Sequence, residues 1–435
     1  MSIRDKKMLL IKNGRVIDPK TKTNAILDIL IDEDKIIKID EHIEEENADV
    51  LDATNLIVAP GLIDNHVHFR DPGFTHKETL ETGANAAKAG GFTTVVCMGN
   101  TKPCVDNVEV LQDIQKRAES LPIHVLQTAN VTLGMKGKEL TNMVSLKEAG
   151  TIGFTDDGVP ISDPKVMLEA MRVAKSLNMP ISLHEEDPAL VGSAGVNAGP
   201  IADSLGIAGA SHLAEETITA RDCLLAKETG CRIDIQHLSS GTSVDIIRFM
   251  KNLGVDVWTE VTPQHLTLTE EDVLTQGANA KVNPPLRSET DRMKLIEGLV
   301  DGTIDMIVTD HAPHAKEEKD KGIVHGAPSG MIGLETSLAL SLTALVEPGF
   351  MKVEDVIEKM TLKPAEFYRM DKGTITVGKD ADLCIFDENE QWIISEADFH
   401  SKSHNSPFIG RRVKGRVRYT ICGGKIVYSH NQEVA

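Results

Sequence analysis

Eight short apolar runs of strand length recur along the 435 residues, and most of them end on a side chain capable of chemistry. They are "GLIDNHVHFR", "FTTVVCMGN", "IHVLQTANV", "TIGFTDDG", "PISLHEE", "RIDIQHLSS", "VDVWTEVTP" and "DMIVTDHAPH". The first five are spaced by about 30 residues, room for a helix and two loops, as "SLKEAG" and "VMLEAMRVAKSLNM" illustrate. Eight β-α units in sequence predict an α/β fold, a (β/α)8 TIM-type barrel whose functional residues sit at the C-terminal strand ends. Two later gaps are wider and hold "GSAGVNAGPIADSLGIAGAS" and "NPPLRSETDR", both expected to be loops at the barrel mouth.

The two ends of the chain read differently. "MLLIKNGRVIDP", "AILDILIDEDKIIKI", "DADLCIFDE" and "YTICGGKIVYS" are short alternating β segments with turn glycines. They predict a small discontinuous β-sandwich domain built from both chain termini, residues 1–58 plus 373–435, with the barrel over 59–372. A chain of this length buries a sizeable core unaided. Its six cysteines form no C-x-x-C pair, which reads as reduced thiols in a cytoplasmic protein. No apolar run is long enough for a signal peptide or a membrane span, so a soluble protein with no membrane partner is expected. A formal net charge of -20 with 3% aromatic residues is a poor composition for gripping nucleic acid. A small anionic substrate remains compatible, provided an arginine or a metal ion reverses the field locally.

The first run carries the sharpest signal. Side chains at i and i+2 of a strand point the same way, so His66 and His68 project together toward the mouth as a ligand pair. Later strand ends add Asp157, His184, His237 and Asp310. Any one of these histidines alone reads as a hydrogen-bonded core residue; as a set at successive strand ends they read as a metal centre. Imidazole nitrogens suit zinc, and four histidines with two carboxylates exceed what one catalytic zinc needs. Two ions about 3.5 to 4 Å apart, bridged by a carboxylate and a hydroxide, would use all six. His124 lies early in its strand and is expected to be structural, as are His212, His265 and His325. Cys97 and Met98 read as core, and residues 315–322 as a solvated loop.

At these motifs the chain resembles the amidohydrolase superfamily and, within it, the bacterial class I dihydroorotase family. "HVHFRDPG" and "TDHAPHAKEEK" match the family's two signatures, "MGNT" and "NPPLR" its substrate-binding stretches, and "GTITVGKDADLCIFD" the superfamily's C-terminal β segment. The resemblance covers essentially the whole chain. Many superfamily members, hydantoinases and allantoinases among them, bridge their metals with a carboxylated lysine; here "GFTDDG" offers Asp157 instead, as in class I dihydroorotases. Departures fall at Asn65, Val308, Gln264, at Asp234 where a second histidine is frequent, and at Ser329-Gly330 where an aromatic-glycine pair is common.

The resemblance implies reversible cyclisation of N-carbamoyl-L-aspartate to L-dihydroorotate, the third step of pyrimidine synthesis. It implies two zinc ions per chain, bridged by Asp157 and a hydroxide and held by His66, His68, His184, His237 and Asp310, with Asp310 as the catalytic proton carrier. Arg70, two positions beyond His68, is expected to grip the substrate carboxylate bidentately. His68, Asn100, Asn283, His314, Ser329 and Gly330 complete the expected substrate contacts, while Arg287 is either a second anion partner or structural. A homodimer, with association to aspartate transcarbamoylase as a further partner, is the expected assembly. The competing readings are another cyclic amidohydrolase, favoured by a bridging lysine, and a non-catalytic subunit, favoured by lost ligands.

Overall fold

A computed structural model describes residues 8–430. Leu62–Val67, Phe92–Cys97 and His124–Gln127 pair in parallel, and so do Ile181–Leu183, Ile233–Ile235, Val257–Val261 and Met306–Ile307. Phe154 joins the two arcs as a single bridging residue, parallel to Ala129 on one side and Ile181 on the other. Val67 and His311 close the ring, with the His68 N–H donating to His311 O at 2.9 Å. The result is an eight-membered parallel barrel. The fourth run, "TIGFTDDG", contributes only that one residue, because Gly153 precedes it and the turn residues Asp156, Asp157 and Gly158 follow.

The strands are apolar because helices cover them outside and side chains fill them inside; every residue of Leu62–Val67 and Phe92–Cys97 is buried. The covering helices start on polar caps: Thr79 before Leu80–Ala89, Asn107 before Val108–Ala118, Asp163 before Pro164–Ser176 and Ser240 before Gly241–Asn252. Each cap oxygen accepts from an amide that the first helical turn leaves unpaired.

Both ends of the chain meet in one eight-stranded sheet. Its order is Lys425–Ser429, Arg412–Cys422, Leu383–Ile393, Ile57–Pro60, Met8–Asp18, Thr23–Asp32 and Lys35–Asp40, with Ala48–Asp52 paired to Met8–Asp18. Ile11, Val16, Ile29, Ile31, Leu383 and Ile385 form its apolar core. The segment between Leu383–Ile393 and Arg412–Cys422 leaves the sheet and reaches the barrel. There Asn405 Nδ2 donates to Ala312 O and Gly330 O, and Asn405 Oδ1 accepts from the His314 N–H. The wide gap after the fifth strand is a loop carrying the short helix Pro200–Ser204 and pinned by bridges from Val191 and Asn197 to Ala210. Among the described residues no helix is long and apolar enough to cross a membrane.

Candidate active site

Six of the residues singled out by sequence converge at the C-terminal mouth. His66, His68 and Asp157 form one group and Asp157, His184 and His237 a second, each with ligand atoms within 4.8 Å of one another and every residue buried. Asp157 is common to both. Its Oδ2 lies 3.3 Å from His68 Nε2, and its Oδ1 lies 3.5 Å from His66 Nε2, 3.7 Å from His184 Nδ1 and 3.9 Å from His237 Nε2. Asp310 Oδ1 closes the first group at 3.0 Å from His68 Nε2 and 3.5 Å from His66 Nε2.

The far side of three of the four rings is fixed by an acceptor that sets the tautomer, whereas His237 Nδ1 is buried without a partner and its Nε2 lies 3.0 Å from His184 Nδ1. His66 Nδ1 donates to Glu260 Oε2 at 2.9 Å, His68 Nδ1 to Asn100 Oδ1 at 3.0 Å, and His184 Nε2 to Glu186 Oε2 at 2.9 Å. The lone pairs on the opposite nitrogens then face the shared carboxylate, as metal ligation requires. His66 Nε2 and Asp157 Oδ1 are buried without a hydrogen-bond partner, a costly state unless something else pairs with them. Asp157, Asp310, Glu186 and Glu260 gather four buried carboxyl groups here. Orphaned ligand atoms, preset tautomers and surplus negative charge fit a pair of divalent cations.

The charges of the rings and the carboxylates depend strongly on one another. Burial works against charge on His66, yet Glu260, Asp157 and Asp310 hold its pKa well above the ordinary value. On His237 burial and the neighbouring His184 and His66 rings push the pKa well below it. Burial opposes ionisation of Asp157 and Asp310 too, but the imidazoles around them keep both carboxyls below the usual range. Arg70, His237 and Asp310 all have left-handed backbone, with φ of +59°, +33° and +49°. Such conformations cost non-glycine residues on the order of 1–3 kcal/mol and cluster at functional sites, here where strands turn their last side chains into the mouth.

The substrate-side residues divide into open and occupied groups. Arg70 Nε donates to Pro313 O at 3.2 Å and Nη2 lies 3.4 Å from His314 Nε2, while Nη1 has no partner among the described residues. Asn283 Oδ1 is a buried acceptor without a partner. Asn100 is committed on both sides, since its Nδ2 donates to Asp157 Oδ2 at 3.3 Å. His314 donates from Nε2 to Ser329 O at 2.9 Å and faces Lys77 Nζ through Nδ1 at 3.2 Å. Burial, with Arg70, Lys77 and Lys319 nearby, pushes its pKa down to about 2, so the ring stays neutral. Gly330 N–H donates to Lys281 O at 2.8 Å. With φ at +134°, a Cβ there would lie 2.8 Å from Ala312 Cβ and 3.0 Å from His314 Nε2, so this turn admits no side chain.

Arg287 is buried, with its Nη2 left without a hydrogen-bond partner. Its Nε donates to Ser239 Oγ, and its Nη1 to Asn197 Oδ1 and Ala210 O, tying the long loop after the fifth strand to the sixth strand end. His265 is fully buried between Thr262 Oγ1 at 2.7 Å and Pro284 O at 3.0 Å, which supports the loop bearing Asn283. His124 sits at the opposite end of the barrel beside Asp382 and Cys422. There Lys372 Nζ already neutralises Asp382 at 2.6 Å, so that cluster is an ion-paired floor. Glu186, Glu260 and Asn405 are the site residues that sequence reasoning missed. Glu186 and Glu260 had a visible signal, as acids at or near the ends of the fifth and seventh runs, "PISLHEE" and "VDVWTEVTP"; Asn405 had none.

A family model described as dihydro-orotase-like matches residues 55–243, and one described as amidohydrolase family matches residues 344–428. Among curated proteins, the dihydroorotases of Clostridioides difficile (strain 630) and Lactococcus lactis subsp. lactis are 54% and 52% identical to this chain. Each alignment covers 97% of this chain, and 100% and 99% of the respective relative. Among solved structures, L-hydantoinase (dihydropyrimidinase) from Arthrobacter aurescens superposes with a TM-score of 0.89 at 27% identity, over 98% of this chain and 97% of that one. D-hydantoinase (dihydropyrimidinase) from Thermus sp. gives 0.85 at 26% identity, over 98% and 96%.

Proposed function

The chain belongs to the dihydroorotase family of amidohydrolases, and from that premise we propose that its barrel mouth interconverts N-carbamoyl-L-aspartate and L-dihydroorotate as a dihydroorotase in pyrimidine synthesis. The observation that carries the reading is the pair of ligand triads sharing Asp157, in a chain about half identical to proteins of that name over nearly its full length. The two solved structures named above carry the hydantoinase name, at about half that identity. An aspartate at the shared position, where the resemblance assigns those enzymes a lysine, speaks for the dihydroorotase.

We propose zinc as the metal and two ions per chain, held by His66, His68, Asp157, His184, His237 and Asp310; imidazole and carboxylate donors suit that ion. When bound, such a pair supplies Lewis-acid polarisation of a carbonyl and lowers the pKa of a water toward about 7. The protein's own groups do the rest. In ring opening the Asp310 carboxylate, held ionised by His66 and His68, accepts the proton of the attacking water. It then hands that proton to the departing amide nitrogen, and ring closure runs the same transfers backward. Arg70 presents its open Nη1 edge to the substrate's α-carboxylate. Asn283 Oδ1 accepts an N–H of the ring or the ureido group. His68, Asn100, His314, Ser329 and Gly330 complete the substrate wall, Asn100 and His314 chiefly by holding their neighbours. The division into a barrel over 59–372 and a terminal β domain, a cytoplasmic location, a homodimer and association with aspartate transcarbamoylase belong to the same reading.

Interconversion of the two compounds by the purified protein, together with its metal content, tests this. Full activity with less than about 0.3 metal ion per chain would remove the metal from the reading, since a site of this kind works only when loaded. No turnover of either compound by the loaded protein would remove the reaction.

A further inference from the structure

Between Leu383–Ile393 and Arg412–Cys422 the chain of the terminal β domain crosses to the barrel mouth, where residues 401–405 run against the loops that carry Arg70 and His314. Ser401 Oγ and the Lys402 N–H donate to the Glu78 carboxylate, the latter at 2.9 Å, and Ser403 Oγ donates to Lys77 O at 2.6 Å. These bonds hold the first loop. Arg70 and Lys77 belong to one turn, because the Phe74 N–H donates to Arg70 O at 2.8 Å and the Lys77 N–H to Phe74 O at 2.9 Å. Asn405 holds the second loop. Its Nδ2 donates to Ala312 O at 3.2 Å and to Gly330 O at 3.1 Å, and its Oδ1 accepts from the His314 N–H at 3.1 Å. Its own carbonyl accepts from the Ile332 N–H at 3.0 Å. The residue is buried, and these side-chain bonds all cross to the barrel. An asparagine that served only to fold its own segment would bond within it. Two of the bonds bracket Pro313, whose carbonyl accepts from Arg70 Nε at 3.2 Å.

We propose that Asn405 is a positioning residue for Arg70: by fixing the residues on either side of Pro313, it sets the plane in which the guanidinium meets the substrate carboxylate. A planar fork grips a carboxylate bidentately only when the two groups are close to coplanar. The bond from Arg70 Nε to Pro313 O sets that plane, and Asn405 holds the carbonyl in place from both sides. Among the described residues no hydrogen bond joins Asn405 to Asp157, Asp310 or the ligand histidines. Asn405 therefore governs substrate affinity and leaves the metal centre and the proton transfer alone. The terminal domain thus supplies part of the binding site. The inference rests on the dihydroorotase reading for its substrate and on Arg70 as the carboxylate's partner.

The experiment compares the zinc-loaded full-length wild type with Asn405→Ala, Asn405→Asp, Arg70→Lys and the double variant Arg70→Lys with Asn405→Ala. KM and kcat for N-carbamoyl-L-aspartate, metal content, and the Nε–H magnetic resonance signal of Arg70, assigned by its loss in Arg70→Lys, are the readouts. Asn405→Asp keeps the shape and the acceptor for His314 but loses both donors and turns a carboxylate on two carbonyls. Both Asn405 variants should raise KM about 10- to 100-fold with kcat within about threefold of wild type, the signature of lost ground-state positioning. Metal content should stay the same, and the Arg70 signal should shift. In the double variant KM should lie within about threefold of that of Arg70→Lys alone, because the fork that Asn405 aims is already gone. An unchanged KM, an unmoved Arg70 signal, or full multiplication of the two KM effects in the double variant overturns the proposal. If Asn405→Ala does not fold, Asn405→Asp decides by the same readouts. Absence of turnover by the wild type would instead overturn the dihydroorotase reading, while the Arg70 signal in the Asn405 variants would still decide the positioning.

Discussion

Replacing Asp157 by asparagine keeps the side chain's shape and removes its charge, and the geometry sets the cost. This one carboxylate reaches His68 at 3.3 Å and His66 at 3.5 Å in the first triad, and His184 at 3.7 Å and His237 at 3.9 Å in the second. Although burial opposes its ionisation, the surrounding imidazoles hold its pKa well below the ordinary range, so the full charge is present at neutral pH. Removing one partner from a buried charged set costs about 3–5 kcal/mol. At 1.4 kcal/mol per decade that is roughly 10²- to 10⁴-fold in metal affinity. Because Asp157 belongs to both triads, Asp157→Asn should lose both equivalents together, whereas His184→Ala, which touches one triad, should lose one. Titrating zinc into demetallated protein against a chromogenic chelator reads both numbers directly. If Asp157→Asn retained one equivalent at wild-type affinity, the carboxylate would serve a single site and the shared-ligand geometry would be wrong.

Arg70→Lys should leave metal content unchanged and raise KM by about 10- to 150-fold, because a point charge replaces a fork worth roughly 1.5 to 3 kcal/mol on a carboxylate; unchanged kinetics would show that Arg70 faces elsewhere. Asp310→Asn should slow both directions by about 10² to 10⁴ while keeping much of its metal, the range for a positioned acid/base; loss of one direction only would assign the proton to another group. Ring closure turns a dianion into a monoanion and so takes up one proton, which means acid should favour closure and alkali opening; initial rates in both directions across pH check this, and parallel profiles would count against the reaction. Burial lowers the pKa of His265 to about 4, against about 6.5 unfolded. The unfolded chain therefore binds the extra proton between those values, and the stability from neutral His265 is complete above about pH 6.5 and lost as pH falls toward 4. His265→Gln should lack that loss, by on the order of 3 kcal/mol in urea unfolding at pH 4 relative to pH 7, and parallel losses in both proteins would refute it.

How much of this was legible in the sequence depends on the range of the interaction. The eight strand-length runs predicted the barrel because strand formation and burial on both faces are written into local apolar pattern. His66 and His68 were readable as a pair because a strand has period two, and no later folding event can point them apart. Asp157, His184, His237 and Asp310 were readable by position, since strand ends of such a barrel share one mouth. The three-dimensional fold alone decided which nitrogen of each ring faces that mouth. His66 takes its tautomer from Glu260, 194 residues away, and His184 from Glu186 beside it. The same holds for His314. Its position suggested a donor to substrate, yet its proton goes to Ser329 O and its backbone is held by Asn405, 91 residues on, from a segment of the terminal domain. The fourth strand shrinks to Phe154 because a glycine precedes it and a turn follows, while bridges to Ala129 and Ile181 keep it in the ring. A sequence pattern carries periodicity and chemistry along the chain; hydrogen bonds between residues hundreds of positions apart form only when the barrel closes, and they turn ligand-type side chains into an ordered site.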